Sequence, residues 1–519
     1  MITPSTPTLR TMMLLLALAG AIPAHAADAT LANLIQAGDR EAALDLIRTG
    51  DGINVAQQNG TTPLHWAVYN VDRELVEALI KRGARADVRN GYGSSPLAEA
   101  VKLGDVAMVK LLLKAGANAN DANEDGQTAL MLAARTGVVP VGEELIKAGA
   151  DVNHVEAWRG QTALMWAVGS NHPEFTRLLI KHGADVSKRA KVNDWDNQIT
   201  NEPRAQYRPT GGLTPLLYAA RSGCDDCVAA ILDAGADINL PNPDGVSPLM
   251  IAIDNFHYDT AALLLERGAN PHVWDWWGRT PLYVAIDMNS FVTRRGATPA
   301  DGGSSLTALD IARKLLQAGV NVNPQLLMHR PGRGGNSGRF TDDPLTTGAT
   351  PLLVAAMSHD VDAVKLLLEF GAEVDRPNIM GLTPLMVASG MATSVRDVRG
   401  NHSPGESVRA IATLEVLLAA GADINARVTD IDSRTARIAR PSTLTERLGQ
   451  TALFGAIKWG WTDTVQFLLA HGASVDIADA NGMTPLDQAL GKTGGRDNII
   501  SEEIASLLRD PPAQTSSGS

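Results

Sequence analysis

A tripeptide of Thr or Ser, then Pro or Ala, then Leu recurs in this chain of 519 residues, and eleven copies have a glycine two positions before them. In these eleven copies the first residue, called the anchor residue below, is Thr62, Ser95, Thr128, Thr162, Thr214, Ser247, Thr280, Thr350, Thr383, Thr451 or Thr484. Most neighbouring anchor residues are 33 or 34 positions apart, and the larger gaps are 52, 70 and 68. A fixed period of this length predicts an array of small repeated units rather than three or four ordinary domains.

Glycine and alanine stand at fixed distances from every anchor residue. A glycine lies two positions before each anchor, as Gly60 does, and an alanine lies five positions after each, as Ala67 does. In most units a second glycine, such as Gly83, follows 21 positions after the anchor. Glycine tolerates the positive φ of a tight turn, Thr or Ser caps a helix, and Pro fits its first turn. Each unit is therefore predicted to be a turn, a helix, a short turn and a second helix that ends at glycine.

The repeated unit resembles the ankyrin repeat. Segment 60–67 (GTTPLHWA) followed by segment 79–84 (LIKRGA) is close to that family's consensus, and the resemblance extends over about residues 27–510. The family's histidine after Leu is present only at His65, so the usual hydrogen bonding between repeats is expected to be weaker elsewhere. The resemblance implies an all-α solenoid of stacked helical hairpins with short finger turns and several long inserted loops. We use "finger" for the turn that joins one unit to the next.

The two ends of the array depart from the repeat. Residues 27–57 keep its register but lack the tripeptide, and we interpret them as an N-terminal capping repeat. The array proper occupies residues 58–510 with about eleven repeats, which makes twelve helical hairpins in all. Residues 511–519, which begin with two prolines and continue with polar residues, are predicted to be a disordered tail.

Five insertions interrupt the period. Three lie in fingers, near 188–212, 324–349 and 426–450, and two lie between the helices of one unit, near 289–306 and 390–407. Structureless loops of this length are usually either functional or disordered, and the sequence leaves both alternatives open.

The start of the chain has the pattern of a secretion signal. Residues 1–10 carry one positive charge, residues 11–22 form a short apolar run, and a small-x-small pattern ends at Ala26. This order predicts a signal peptide over residues 1–26, cleaved before Ala27, and a periplasmic or secreted protein. A buried N-terminal helix is the alternative. The remainder has no apolar stretch long enough to cross a bilayer, so no transmembrane segment is expected in the mature chain.

The motifs of enzymes and metal proteins are absent from the sequence. It contains no zinc-protease, phosphate-loop or Gly-x-Ser-x-Gly motif, and its eleven histidines are scattered. Two cysteines exclude a multi-cysteine metal site. We therefore expect no catalytic residue, no metal and no cofactor. The formal net charge of −12, with no basic run, also argues against nucleic acid as the partner.

One local motif, Cys224-Asp-Asp-Cys227, lies at the predicted start of a second helix. Three interpretations compete: a local disulfide, which an exported protein can form, two unpaired thiols, or a catalytic thiol pair. The βαβ context that would support catalysis is missing.

Aromatic and arginine residues in the fingers are the candidate partner-binding residues. They are Trp158, Trp195, Tyr207, Trp274, Trp276, Trp277, Arg330, Arg333, Arg339, Arg434 and Arg437. The three inserted fingers carry 13 basic and 8 acidic residues although the whole chain is acidic. Because arginine binds carboxylates in a bidentate manner, this predicts a protein partner with an acidic surface. The alternatives are that the tryptophans pack against neighbouring loops and that the fingers pair with the chain's own acidic residues. Trp66 and Trp166 precede the recurring alanine and are expected in the core.

The resemblance implies a non-catalytic scaffold or adaptor for protein–protein interaction, and we expect the protein to be exported and monomeric. Two alternatives remain: an enzyme with an active site built from the inserted loops, and a purely structural envelope protein.

Overall fold

The computed structural model describes residues 30–193, 210–295, 303–327, 345, 347–391, 404–429, 447–492 and 500–513. The chain divides into two compact units. Unit 1 is Met1–Glu124 with Glu144–Ala150, and unit 2 is Asp125–Glu143 with Asp151–Ser519. The predicted signal peptide, residues 1–26, lies outside the described residues. Among the described residues, no helix has the length and apolarity that crossing a membrane requires.

The described residues contain 24 helices, which form the twelve predicted hairpins. The first eight helices are α1 (Leu31–Ala37), α2 (Arg40–Thr49), α3 (Pro63–Tyr69), α4 (Arg73–Lys81), α5 (Pro96–Leu103), α6 (Val106–Lys114), α7 (Ala129–Thr136) and α8 (Val139–Lys147). The next eight are α9 (Ala163–Gly169), α10 (Pro173–Lys181), α11 (Pro215–Ser222), α12 (Asp225–Asp233), α13 (Pro248–Asp254), α14 (Tyr258–Glu266), α15 (Pro281–Arg295) and α16 (Ala308–Gln317). The last eight are α17 (Pro351–Met357), α18 (Val361–Glu369), α19 (Pro384–Ala388), α20 (Pro404–Ala419), α21 (Ala452–Lys458), α22 (Thr462–Ala470), α23 (Pro485–Ala489) and α24 (Glu502–Arg509).

Within each unit the hairpins stack in sequence order. In unit 2 the first helices pack in one row, in which α9 lies between α7 and α11, and α13 lies between α11 and α15. The second helices form a parallel row in which α12 lies between α10 and α14. The recurring alanines are fully buried in these rows, for example Ala219 and Ala252, because a small side chain lets neighbouring helices approach closely. The predicted all-α fold of stacked helical hairpins is confirmed.

The anchor residues cap the first helices as predicted. The Thr350 hydroxyl oxygen accepts the backbone N–H of Leu353 at 3.2 Å, and Thr214 does the same for Leu217 at 3.3 Å. Thr451 occupies the cap position without such a side-chain bond. The N-terminal hairpin α1–α2, which lacks the tripeptide, is capped by Thr30, whose side chain accepts the N–H of Asn33.

His65 joins two repeats of unit 1. The N–H of Thr62 donates to His65 Nδ1 at 3.2 Å, so the ring proton lies on Nε2, which donates to the Ser94 carbonyl at 3.0 Å. Burial lowers the pKa of this histidine, which keeps the ring neutral.

The glycines two positions before the anchor residues have positive φ, 65° at Gly160 and 83° at Gly348. At Gly160 and Gly348 the next finger also lies directly against the glycine. In that finger a backbone N–H donates to the carbonyl just before the glycine: Lys191 to Arg159 at 2.8 Å, and Ile379 to Thr347 at 2.9 Å. A Cβ atom on Gly348 would lie 2.9 Å from the Ile379 nitrogen. Glycine is therefore required both for its φ and for the approach of the next finger.

A side-chain oxygen five positions before the anchor residue closes most described fingers. The Oδ1 atom of Asn378 accepts the backbone N–H groups of Met380 at 2.9 Å and Leu382 at 3.1 Å. Asn90, Asn242, Asp275 and Asp479 make the same pair of bonds. These Asx turns hold the finger in shape, and their regular Asn or Asp was a signal that our sequence analysis overlooked.

The three inserted fingers begin and end at one place in the repeat. The short antiparallel pair β1 (Val192–Asn193) and β2 (Thr210–Gly211) joins the ends of the first. In the second, Leu326 donates to the Ala349 carbonyl at 3.0 Å and accepts from Gly348 at 2.8 Å. In the third, Val428 donates to the Gln450 carbonyl at 3.0 Å and accepts the N–H of Gly449 at 2.8 Å. In each of the three fingers these hydrogen bonds join the residues at the two ends of the insertion.

The two insertions within hairpins are partly helical, which corrects their interpretation as loops. Helix α15 continues through residues 289–295, and α20 begins at Pro404, inside the predicted insertion 390–407. The extension of α15 is stabilised by burial, since Met288 and Ser290 are both fully buried. Of the predicted tail, residues 511–513 are described and are not helical, and the rest lies outside the described residues.

A second series of hydrogen bonds between repeats, called the ladder below, involves the residue four positions after the glycine that ends a second helix. In unit 2, Asn153 donates to the Gly183 carbonyl at 2.9 Å and accepts the Asp185 N–H at 2.8 Å. Asn425 makes the equivalent bonds to Gly472 and Ser474.

Asp375 occupies this ladder position as an aspartate. Its Oδ2 atom accepts the Asp423 N–H at 2.9 Å, but the buried Oδ1 atom has no hydrogen-bond partner. A carboxylate cannot donate as the amide of asparagine does. Burial, together with the nearby negative charge of Asp423, raises the pKa of Asp375.

We predict that Gly348→Ala destabilises the array more than Gly371→Ala does. Both glycines have positive φ, but only Gly348 faces a neighbouring backbone, since a Cβ atom on Gly371 would meet nothing within 4 Å. The crowding adds about 1–3 kcal/mol to the cost that positive φ imposes on both variants. Urea unfolding followed by far-UV circular dichroism measures the difference, and equal midpoints would contradict the dual role of Gly348.

We predict that Asp375→Asn raises the free energy of unfolding at pH 7 by about 1 kcal/mol, because asparagine restores the missing donor. The folded state binds a proton at Asp375 more readily than the unfolded state, so the wild-type chain gains stability as the pH falls through the raised pKa. The advantage of the variant should therefore shrink towards about pH 4.

Thermal melts at several pH values test this expectation. Asn153→Asp is the matched control, and it should lose stability at pH 7 and recover part of the loss in acid. A constant difference between Asp375→Asn and wild type at every pH would contradict the assignment.

Candidate protein-binding surface

The tryptophans predicted to contact a partner differ in exposure. In unit 2, Trp158 and Trp274 are each 66% exposed and Trp276 is 40% exposed. Trp277 is only 7% exposed, so its predicted place in an exposed surface is corrected. Its ring packs on the guanidinium of Arg279, whose carbon lies 5.3 Å from the ring centroid. For Trp277 the structure therefore agrees with the alternative interpretation, in which the tryptophan ring packs against the chain itself.

Arg279 is buried because carboxylates compensate its charge. Its Nε atom donates to Asp275 Oδ2 at 2.7 Å, and its Nη1 atom lies 3.5 Å from Asp254 Oδ2. Burial opposes the charged guanidinium, but Asp254, Asp275 and Asp287 together outweigh this effect and raise the pKa of Arg279. Burial also raises the pKa of Asp275. The network fixes the finger that carries Trp274 and Trp276.

Seven of the predicted binding residues lie outside the described residues. They are Trp195, Tyr207, Arg330, Arg333, Arg339, Arg434 and Arg437. Their part in binding stays a prediction.

Cys224 and Cys227 form a disulfide at the start of α12. Cys224 is the N-cap residue, and its Sγ atom accepts the backbone N–H of Cys227 at 3.3 Å. Both side chains are buried, so neither sulfur lies on the surface. The arrangement agrees with the first of the three interpretations, a local disulfide.

The exposed face of the first helices in unit 2 carries arginines stacked on aromatic rings. The guanidinium of Arg135, at the end of α7, lies 5.4 Å from the Trp166 ring centroid on α9. The guanidinium of Arg221 lies 4.8 Å from the Tyr218 ring on α11. These residues are the fourth and seventh after their anchor residues. We call Arg135, Trp166, Tyr218 and Arg221 the arginine–aromatic row.

The finger before α9 adds a third stacked pair. The Arg159 guanidinium lies 5.1 Å from the Trp158 ring. Glu156 is buried beneath this turn, and its carboxylate accepts the N–H groups of Trp158 and Arg159, each at 2.7 Å. Gln161 donates to the Tyr218 hydroxyl at 2.6 Å, which ties the finger to the row. The side chains of this surface are therefore held by hydrogen bonds and packing before any partner binds.

The three stacked arginines have no carboxylate partner in the described part of the chain. Other arginines of unit 2 do, for example Arg267 with Asp233 at 2.8 Å and Arg313 with Glu369 at 3.2 Å. Arg135, Arg159 and Arg221 are all exposed. Their N–H edges are thus available to an anion from another molecule.

The seventh position after the anchor residue distinguishes the repeats of unit 2, whereas the fourth position does not. The fourth residues Ile251, Val284, Val354 and Val387 are buried, and so are Leu132 on α7 and Tyr218 on α11. At the seventh position, Arg135 on α7 and Arg221 on α11 are exposed, whereas Asp287 on α15 is buried.

Sequence reasoning missed this surface although a signal was present. We expected Trp66 and Trp166 in the core, but both are half-buried. The arginines at the seventh positions after Thr128 and Thr214 were the readable signal.

The comparisons with known proteins agree with this architecture. A family model described as "Ankyrin repeats (3 copies)" matches residues 31–123, 115–190, 196–275, 216–326, 308–428 and 410–513. The chain is 30% identical over 187 residues to an ankyrin repeat and KH domain-containing protein, mask-1, of Caenorhabditis elegans. The match covers 33% of this chain and 6% of that protein.

Two ankyrin repeat proteins of fowlpox virus, FPV031 and FPV230, are also similar. They are 32% and 28% identical over 141 and 157 residues, each covering 27% of this chain, and 31% and 73% of the viral proteins. The chain thus spans less than a third of the first two relatives. The human ASB11 ankyrin repeat domain aligns with a TM-score of 0.38 and 24% identity, over 46% of this chain and 98% of that domain. Because the family model matches repeats throughout residues 31–513, the chain belongs to the ankyrin repeat family.

Proposed function

We propose that this protein is an exported, non-catalytic scaffold or adaptor that binds a partner protein with an acidic surface. One observation carries the proposal: three exposed arginines of unit 2 are stacked on aromatic rings and lack a carboxylate partner within the described residues. Ankyrin repeats are in general protein-interaction modules, and this surface is where the chain offers unused hydrogen-bond donors. The exposed Trp158, in the finger before α9, supplies apolar contact area beside it.

Export is proposed from the sequence alone. Residues 1–26 have the order of a signal peptide, and the disulfide between Cys224 and Cys227 suits an oxidising compartment. The mature chain acts there as a monomer in this proposal.

We predict that the chain expressed in a Gram-negative host is recovered from the periplasm with Ala27 as its first residue. Signal peptidase needs a small residue before the cut, so Ala26→Asp should leave a product longer by residues 1–26. Intact mass of the fractionated protein measures both results. Full-length wild-type protein in the cytoplasm would contradict export.

We predict that in-cell cross-linking and purification of the tagged full chain recovers one partner protein in a fixed ratio. Because arginines on the surface make the contact, the yield of partner should fall as the salt concentration of the wash rises. The charge-reversed variant Arg135→Glu/Arg159→Glu/Arg221→Glu should lose the partner. Recovery of no protein in a fixed ratio would contradict the scaffold role, and turnover of a substrate by the purified chain alone would favour the enzyme alternative.

A further inference from the structure

We propose that the arginine–aromatic row binds an extended acidic segment of the partner, with one carboxylate on Arg135 and another on Arg221. This inference rests on the proposed function, because it names the chemistry of the segment that the scaffold binds. The evidence is the stacking, the separation of the two arginines and the charge at the ends of the row.

The stacking prepares both guanidinium groups for carboxylates. When the face of a guanidinium group packs on an aromatic ring, the N–H groups along its edge stay free. A carboxylate can approach that edge and accept two hydrogen bonds. Arg135 rests on Trp166 and Arg221 rests on Tyr218, so the cost of ordering both side chains is already met. Each position therefore suits one carboxylate.

The spacing of the helices sets the length of the segment. Arg135 reaches from α7 to the Trp166 ring on the neighbouring helix α9, and Arg221 lies over Tyr218 on α11. Helices α9 and α11 pack directly together, and neighbouring packed helices are about 8–10 Å apart, so the two guanidinium groups are separated by about 8–10 Å. An extended chain rises about 3.3 Å per residue, which places the two acidic residues about three positions apart.

Charge limits the segment on one side. Beyond α11 the row continues to Asp254 on α13, whose carboxylate faces Arg279 at 3.5 Å. A further acidic residue there would meet an acidic side chain whose cation is already shared with Asp275. We therefore place the two acidic residues over α9 and α11.

A peptide fits this surface better than a nucleic acid. Nucleic acid binding depends on a continuous basic track that neutralises many phosphates, and three separate arginines on a chain of formal charge −12 do not provide one. Two carboxylates at a fixed distance match two separate guanidinium groups.

The test uses fluorescein-labelled peptides and fluorescence anisotropy with the full chain at low salt. The first peptide is eight residues long, with glutamate at its third and sixth positions and neutral residues elsewhere. The second has the two glutamates adjacent, and the third has glutamine in their place. We expect the first peptide to bind about tenfold more tightly than either of the others.

Substitutions locate the binding. Arg135→Gln and Arg221→Gln should each weaken binding of the first peptide about tenfold, and Arg135→Lys should weaken it too, because lysine keeps the charge but loses the bidentate geometry. The matched control is Lys181→Gln/Lys365→Gln, which removes two exposed charges from the second helices of unit 2 and should leave the affinity unchanged. Thermal melts check that every variant folds, which is expected because both arginines are exposed.

The possible results separate this inference from the proposed function. Equal affinity for all three peptides, equal affinity of the arginine variants and wild type, or tighter binding of a single-stranded oligonucleotide of equal charge would overturn the inference. A partner recovered in cells by both wild type and Arg135→Gln/Arg221→Gln would overturn the inference while the scaffold role stands. Selective binding of the spaced peptide, without any partner in cells, would support the inference and contradict the scaffold role.

Discussion

The hydrogen bond between neighbouring fingers is the interaction on which the repeat stack depends. In unit 2, for example, the backbone N–H of Trp276 donates to the Asp244 carbonyl of the previous finger at 2.8 Å. Asp244 directly precedes Gly245, the glycine two positions before an anchor residue. The bond requires glycine at the next position, because a Cβ atom would occupy the space of the incoming backbone. Hairpins joined by this bond are held in register with each other, and the rows of helices follow from that register.

The stacking also determines where the array can bind. Helices α9, α11, α13 and α15 each pack between two other first helices. The exposed Arg135 and Arg221, at the ends of α7 and α11, lie over the Trp166 and Tyr218 rings, whereas Asp287 at the equivalent position of α15 is buried. One backbone arrangement therefore presents exposed cations in some repeats and a buried carboxylate in another, and the side chains alone decide between them.

The buried charged residues Asp275 and Arg279 stabilise the finger in which they lie. Asp275 closes its finger through two backbone N–H groups and binds Arg279, and the guanidinium in turn supports the Trp277 ring. Asp375 shows the opposite case, since it replaces an asparagine of the ladder and leaves one buried oxygen without a hydrogen-bond partner. A repeat tolerates such a change because its neighbours carry the remaining bonds.

The sequence by itself determined the period, the helix starts at the anchor residues, the glycine turns and the family, because each depends on contacts within a few residues of the chain. It did not reveal that Trp277 is buried while Trp276 beside it is exposed, or that Arg135 stacks on Trp166 of the next repeat. The seven predicted binding residues outside the described part of the chain, and the signal peptide, stay predictions of the sequence. Only the tertiary structure decided which of these side chains are exposed, because burial and pairing depend on residues one repeat away in sequence that stacking brings into contact.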